Sequence, residues 1–322
     1  MNPNNERVRF GTTDLMVSRL CQGTAFRHLE RSADEPQAQA VLHHCLDQGV
    51  NFFDSASAYG WGGAERALGK AIAGRRDEVV ICTKVPAMHE PGADGKSAPA
   101  VFSRAYLTAQ VEGSLQRLGT DFIDLYLLHQ PDKMTPPEEI IPVMEDLVEA
   151  GKVRYWGVSN HSAEQIGRYL ELGRNSAHPI VGLEDYYNIA GQSVDPQGRI
   201  RTAVYEETVF PLIEKAELGL LAFSPMDTGY LAPGRALEAD SPLRPLIAVL
   251  DEVAGELGAP RAAVCLAWVL SHRAVTSVLA GSEAPEHVDA NLAGTRLHLP
   301  APAQARLDAA RQAYLAAQSR PS

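Results

Sequence analysis

The sequence predicts a (β/α)8 TIM barrel, opened by a short N-terminal β-hairpin and closed by an extra C-terminal helix. Three observations carry this reading. Eight short apolar runs recur along the 322 residues, continuous rather than alternating, as strands buried on both faces of a parallel sheet are. Amphipathic stretches separate them. Run after run ends in a polar residue, at the point where the βα loops of a barrel begin. A doubly wound open sheet is the competing α/β arrangement, and eight strand–helix repeats favour closure. No linker or low-complexity segment interrupts the series, so one domain spanning residues 1–322 is expected.

The elements follow in order. Residues 6–17, RVRFGTTDLMVS, read as the hairpin. The eight strand runs are SRLCQGTA (18–25), VNFFD (50–54), VVICTK (79–84), FIDLYLLH (122–129), VRYWGVSN (153–160), PIVGLED (179–185), GLLAFSP (219–225) and VTSVLAG (275–281). Gly49, Gly74, Gly119, Gly151, Gly173, Gly219 and Gly258 follow amphipathic stretches and predict left-handed helix ends. Thr135-Pro136-Pro137-Glu138 and Ser162-Ala-Glu-Gln165 predict capped helix starts, and Ser103 and Pro260 open two more. Residues 302–318 read as the added helix.

Composition excludes several functions. Lys plus Arg is 29 and Asp plus Glu is 40, a net charge of −11. That argues against a nucleic-acid partner or an anionic membrane surface. No apolar run reaches the length of a transmembrane helix. The N-terminus lacks the basic and apolar blocks of a signal peptide. Cys21, Cys45, Cys82 and Cys265 are far apart, so neither a disulfide framework nor a metal site is expected, and a reducing cytoplasm is the expected compartment.

The polar strand ends carry the chemistry. Asp54, Lys84, His129, Ser159, Asn160, Glu184 and Ser224 fall at or near the ends of successive strands. Any one alone reads as a helix cap or a structural residue; together they converge on one rim. An aspartate beside a lysine holds the lysine charged, and a charged lysine lowers the pKa of a neighbouring phenol. Tyr59, five residues after Asp54, is that phenol. It is expected to be drawn toward neutrality and to serve as general acid for a carbonyl oxygen. His129 would orient and polarise the same oxygen. Gly60-Trp-Gly62 starts like a dinucleotide loop, but Glu65 stands where GxGxxG needs its last glycine. It is read as the turn after Tyr59.

FFDSASAYGWGGAERALG, ICTK, LYLLHQ, VRYWGVSN, LLAFSPMDTGYL and VLAGSEAPEHVDAN closely resemble the aldo-keto reductases, from about residue 8 to about 295. The resemblance implies a barrel that binds a nicotinamide dinucleotide without a Rossmann fold. It implies hydride transfer between NAD(P)H and a small-molecule aldehyde, ketone or sugar, or the reverse reaction on an alcohol. The family tetrad falls on Asp54, Tyr59, Lys84 and His129. Cofactor contacts carry over to Gly23, Thr24, Asp54, Ser159, Asn160, Glu184, Phe223, Ser224, Met226, Leu231, Gly281, Ser282, His287 and Asn291. NADP is the expected cofactor, with NAD possible, because three positions depart from the family. Glu184 replaces a glutamine beside the carboxamide, Gly281 a lysine, and His287 the arginine that grips the 2′-phosphate. Phe26, Trp61 and Phe102, in βα loops, are candidates for the substrate pocket. Some relatives are cofactor-sensing subunits of ion channels, so a regulator with little turnover is the alternative to an enzyme.

Overall fold

The computed structural model describes residues 6–26, 35–92, 95–132, 134–191, 193–194, 200–201 and 205–318. Strands β1 (Arg7–Arg9) and β2 (Met16–Ser18) form the expected antiparallel hairpin. Eight parallel strands then close a barrel: β3 (Leu20–Gly23), β4 (Phe52–Asp54), β5 (Val80–Val85), β6 (Ile123–Leu128), β7 (Val153–Ser159), β8 (Gly182–Tyr186), β11 (Gly219–Phe223) and β12 (Ser277–Ala280). β12 pairs with β3 to complete the ring. A two-residue ladder, β9 (Ser193–Val194) with β10 (Ile200–Arg201), lies in the loop after β8. All eight predicted runs hold barrel strands, with ends that differ by up to three residues; β5 and β8 each run one residue past the predicted end.

Around the ring run α1 (Pro36–Asp47), α2 (Gly63–Ala71), α3 (Arg104–Leu118), α4 (Pro137–Glu149), α5 (Ala163–Leu172), α6 (Tyr205–Thr208), α7 (Phe210–Ala216), α8 (Leu243–Leu257), α9 (Arg261–Leu270) and α10 (Pro285–Arg296). The added helix, α11 (Ala301–Gln318), packs against α8. Among the described residues no single helix is long and apolar enough to cross a membrane; α8 and α9 qualify only together, and they bend by 97°.

Strand side chains alternate between two apolar layers. Phe53, Ile81, Tyr126 and Leu128 face the helices in one cluster; Cys21, Phe52, Cys82, Leu125, Leu127, Leu221 and Leu279 fill the barrel in another. The same period of two makes Asp54, Lys84, His129, Glu184 and Phe223 the next inward step on their strands. The barrel therefore ends in a polar layer at its C-terminal rim. Its opposite end is stoppered by Phe10, from the hairpin turn. A Cβ on Gly182 would lie 2.4 Å from the Phe10 ring, and one on Gly219 2.5 Å from it. Two bare glycines make the socket.

This corrects the expectation for Gly219: it is the first residue of β11, and Glu217 takes the left-handed helix end, at φ 51°. Gly173 keeps right-handed geometry at φ −75° and starts a single 3₁₀ turn. Gly49, Gly74, Gly119, Gly151 and Gly258 do adopt positive φ. Ser162 and Gln165 form the full capping box, and Ser103 caps α3. Thr135 does not cap α4; Pro136 holds that place, and the Thr135 hydroxyl donates to Asp132 instead.

Candidate active site

Asp54 ends β4 and Lys84 is the penultimate residue of β5; they are 1% and 0% exposed. The Lys84 Nζ donates to Asp54 Oδ1 and Oδ2 at 2.6 and 2.7 Å, and to the Ser55 carbonyl at 2.9 Å. The Tyr59 hydroxyl is 3.3 Å from it and Glu184 Oε1 3.2 Å. Tyr59 reaches this point because the loop after β4 folds back. Ser57 N donates to the Lys84 carbonyl, and Tyr59 N to the Ala56 carbonyl. Glu65, at the start of α2, is fully buried; it accepts from Thr83 Oγ1 at 2.7 Å and Arg117 Nε at 2.6 Å. That residue, set aside in the sequence as a broken glycine loop, anchors the helix behind Tyr59. His129 follows β6, its ring edge-on to Tyr59 with centroids 5.7 Å apart. Its Nδ1 is buried without a hydrogen-bond partner.

Burial alone would lower the pKa of Lys84, but Asp54 and Glu184 outweigh it and raise it well above the usual value. The ammonium stays charged. Burial, then Lys84, push His129 down to about 3, so its imidazole is neutral. Tyr59 goes the other way from expectation. Burial raises its pKa; Lys84 pulls it down, but Asp54 and Glu184 push it up again, and the net direction is upward. Burial weighs most and one cation faces two carboxylates, so the phenol keeps its proton. The arrangement is an acid that holds its proton at neutral pH, an ammonium that favours the phenolate once the proton leaves, and a neutral imidazole alongside.

A cleft of about 720 Å³ starts at this cluster, passes over the ends of β11 and β12, and reaches the first turn of α10. Of the predicted cofactor residues, Gly23, Asp54, Asn160, Glu184, Phe223, Ser224, Met226, Gly281, Ser282, His287 and Asn291 line it. Thr24, Ser159 and Leu231 stand behind its wall: all three are buried, with Thr24 bonded to Ser55 and Ser159 to Asn160. Asn160 and Ser224 both take φ 58°, a left-handed conformation uncommon for residues other than glycine and concentrated at functional sites. Asp185 holds the first of these, accepting from Asn160 N at 2.7 Å, while Asn160 Nδ2 donates to the His129 carbonyl at 2.9 Å. Asp185 was missed in the sequence; as the neighbour of Glu184 it alternates to the outer face of the strand, away from the rim cluster. Asn291 Nδ2 donates to Ser282 Oγ at 3.0 Å. Among the described residues lining the cleft there is no Lys or Arg.

The three aromatics do not line this cleft. Phe26 is half-buried against the outer cluster, and Trp61, half-buried, turns at φ 46° just after Tyr59. Phe102 is 1% exposed, stacks on Tyr106, and borders a separate hollow with Asp132, His161 and Tyr169. Its backbone N–H donates to Asp132, which turns the ring into the protein.

A sequence model described as the Aldo/keto reductase family matches residues 19–312. The chain belongs to the aldo/keto reductase family. This reductase is 33% identical over 306 residues to an uncharacterised oxidoreductase, YrpG, of Bacillus subtilis (strain 168), covering 88% of this chain and 89% of that one. It is 32% identical over 308 residues to a probable voltage-gated potassium channel subunit beta of Oryza sativa subsp. japonica, covering 88% of each. In structure it is similar to the aldo-keto reductase AKR11C1 from Bacillus halodurans in its holo form, with a TM-score of 0.78, 28% identity, and coverage of 95% of this chain and 96% of that one. This reductase is an NAD(P)H-dependent oxidoreductase acting on carbonyl compounds. The cleft fits a nicotinamide dinucleotide. One end holds the proton-bearing cluster; the other opens on a helix N-terminus, which suits phosphate. A Cβ on Gly281 would meet nothing within 4 Å, so the wall there is open.

Proposed function

We propose that this reductase, working as one domain, reduces the carbonyl of a small aldehyde, ketone or sugar, and runs in reverse as an alcohol or aldose dehydrogenase, with Tyr59 as the proton donor. The observation that carries the reading is the Tyr59 hydroxyl 3.3 Å from Lys84 Nζ, itself 2.6 Å from Asp54, at the head of the cleft. The bound dinucleotide supplies the hydride. Phe223 would offer it a ring face and Asn160 an amide, and Ser224, Met226, Gly281, Ser282 and Asn291, which line the same cleft, would hold the rest of it. Tyr59 gives its proton to the substrate oxygen as negative charge develops there, and Lys84 stabilises the phenolate left behind. Neutral His129 donates a hydrogen bond to the same oxygen. Asp54 keeps Lys84 charged and in place. NADPH is the expected cofactor, with NADH accepted, because no Lys or Arg among the described cleft residues awaits a 2′-phosphate.

Tyr59→Phe tests the assignment. Reduction of an aldehyde should fall by about 10²–10⁴-fold, the usual contribution of a general acid, while NADPH quenches protein fluorescence as before. A variant that keeps more than about a tenth of the rate would remove Tyr59 from that role. The likeness to a protein named as a channel subunit favours one second reading, a dinucleotide-binding regulator. Binding of NADPH without oxidation across a broad carbonyl panel would select it.

A further inference from the structure

The cluster at the barrel rim contains one group the tetrad does not need. Glu184 is 3% exposed, and both its oxygens point at named partners: Oε1 lies 3.2 Å from Lys84 Nζ, and Oε2 lies 3.9 Å from Cys82 Sγ. A side-chain hydrogen bond also joins it to Asp54. Two carboxyl groups thus share one ammonium at the buried head of the cleft. An ammonium has three N–H donors. Those of Lys84 face both Asp54 oxygens, the Ser55 carbonyl and the Tyr59 hydroxyl at 2.6–3.3 Å. Apart from the contested ammonium, Glu184 has only the weak thiol donor of Cys82 unless it carries its own proton, and two carboxylates in contact cannot both ionise cheaply.

We propose that Glu184 is held as a neutral carboxylic acid hydrogen-bonded to Asp54, and that it gives up this proton when the oxidised nicotinamide occupies the cleft. The inference rests on reading the site as a nicotinamide-dependent reductase. Its physical basis is charge. With Glu184 neutral, Lys84 and Asp54 cancel and the cluster carries none. With Glu184 ionised, the cluster is −1. Glu184 lines the same cleft as Asn160 and Phe223, so its charge would act on a nicotinamide held there, which becomes cationic when hydride departs. Ionised Glu184 stabilises the oxidised ring; neutral Glu184 is indifferent to it. The residue would thus bias the enzyme toward alcohol oxidation as pH rises.

The other groups that face Glu184 inside the barrel keep constant charge; Asp185, next in sequence and raised to about 7 by burial, alternates to the outer face of the strand. Cys21 on β3 and Cys82 on β5 are thiols whose pKa burial raises well above the usual value. Tyr59 shifts upward and His129 downward, so both stay neutral. Lys84 stays protonated, and the flanking register partners, Ser159 on β7 and Leu221 on β11, do not titrate. Burial first, and Asp54 second, raise Glu184 well above the ordinary carboxylate range. Asp54, Cys82 and Glu184 also have ligand atoms within 4.8 Å of one another, but the Lys84 ammonium already supplies the positive charge that a metal ion would bring.

The test is the dissociation constant of NADP⁺ divided by that of NADPH, measured by fluorescence between about pH 6 and 9, the range buried glutamates reach. The phosphates are common to both forms, so their titration cancels. In the wild type the ratio should fall roughly tenfold with rising pH, within the usual span of site–site coupling. In Glu184→Gln it should be flat. A wild-type ratio that ignores pH, or a slope that persists in Glu184→Gln, overturns the proposal while leaving the reductase reading intact. Failure to bind either form removes that reading and the proposal with it. Infrared difference spectra of the wild type on adding NADP⁺ give a second measure should the variant not fold. Loss of a protonated-carboxyl band supports the proposal, and no change in that band overturns it.

Discussion

Replacing Lys84 by Met removes the one cation from a chamber built around it. Asp54 would be left 1% exposed, with neither of its oxygens facing the ammonium now 2.6 and 2.7 Å away. Stripping one partner from a buried ion pair costs about 3–5 kcal/mol, a large part of the roughly 5–15 kcal/mol that holds a domain together. An unpaired buried carboxyl binds its proton more tightly when folded than when unfolded. Its stabilising contribution is therefore present at acidic pH and lost as pH rises through the raised folded value. The deficit of Lys84→Met should shrink on acidification. Lys84→Met with Asp54→Asn should recover most of the loss, because no uncompensated charge remains. Catalysis should not recover, since the Tyr59 phenolate has lost its cation in both variants; a drop of about 10²–10⁴-fold is expected. Urea unfolding of the three proteins between about pH 5 and 8, spanning carboxylate and histidine titration, measures the first effect. Loss of NADPH absorbance with an aldehyde measures the second. If Lys84→Met unfolds within about 0.5 kcal/mol of wild type, the margin of an ordinary surface change, the pair does not hold the site together.

Two further outcomes are expected. His287→Arg should raise the preference for NADPH over NADH by roughly tenfold or more, since a guanidinium adds a charge-assisted fork that this wall of the cleft lacks; equal dissociation constants for the two cofactors in the variant would show that the 2′-phosphate lies elsewhere. Asp185, pushed up to about 7 by burial despite bonds from Tyr205 and Asn160, binds its proton more tightly folded than unfolded. Stability should decline as pH rises toward 7, by on the order of 4 kcal/mol if the shift is fully expressed, and Asp185→Asn should flatten that decline in urea titrations; an unchanged slope would show that the carboxyl does not titrate there.

The barrel was legible because its strands are unusually plain. Runs such as FIDLYLLH are apolar on both faces, and only a parallel sheet covered on both sides accepts them. The rim cluster was legible for a related reason: when each strand breaks its apolar run at the same end, the alternation brings the breaking residues together. What escaped is what depends on distance across the fold. Asp185 supports Asn160 from a neighbouring strand, and Glu65 reaches Thr83 and Arg117; neither spacing follows a local period. The direction of the Tyr59 shift depends first on burial, then on Lys84 against Asp54 and Glu184, and neither burial nor separation can be read from the sequence. Phe102 looked like a loop aromatic free to meet a substrate, until the Asp132 contact fixed its backbone and its ring went into the core.

The Phe10 stopper has a consequence for how the protein is made. The ribosome delivers Phe10 well before its sockets, Gly182 and Gly219, which belong to the sixth and seventh barrel strands. A growing chain therefore carries an unhoused aromatic ring until most of the barrel has been synthesised. Seating that ring joins the hairpin to the sixth and seventh strands, and a product truncated before β11 cannot complete the socket. A fragment ending before β11 would show a half-built socket and an exposed phenylalanine, the kind of apolar surface by which chaperones and proteases recognise unfinished chains.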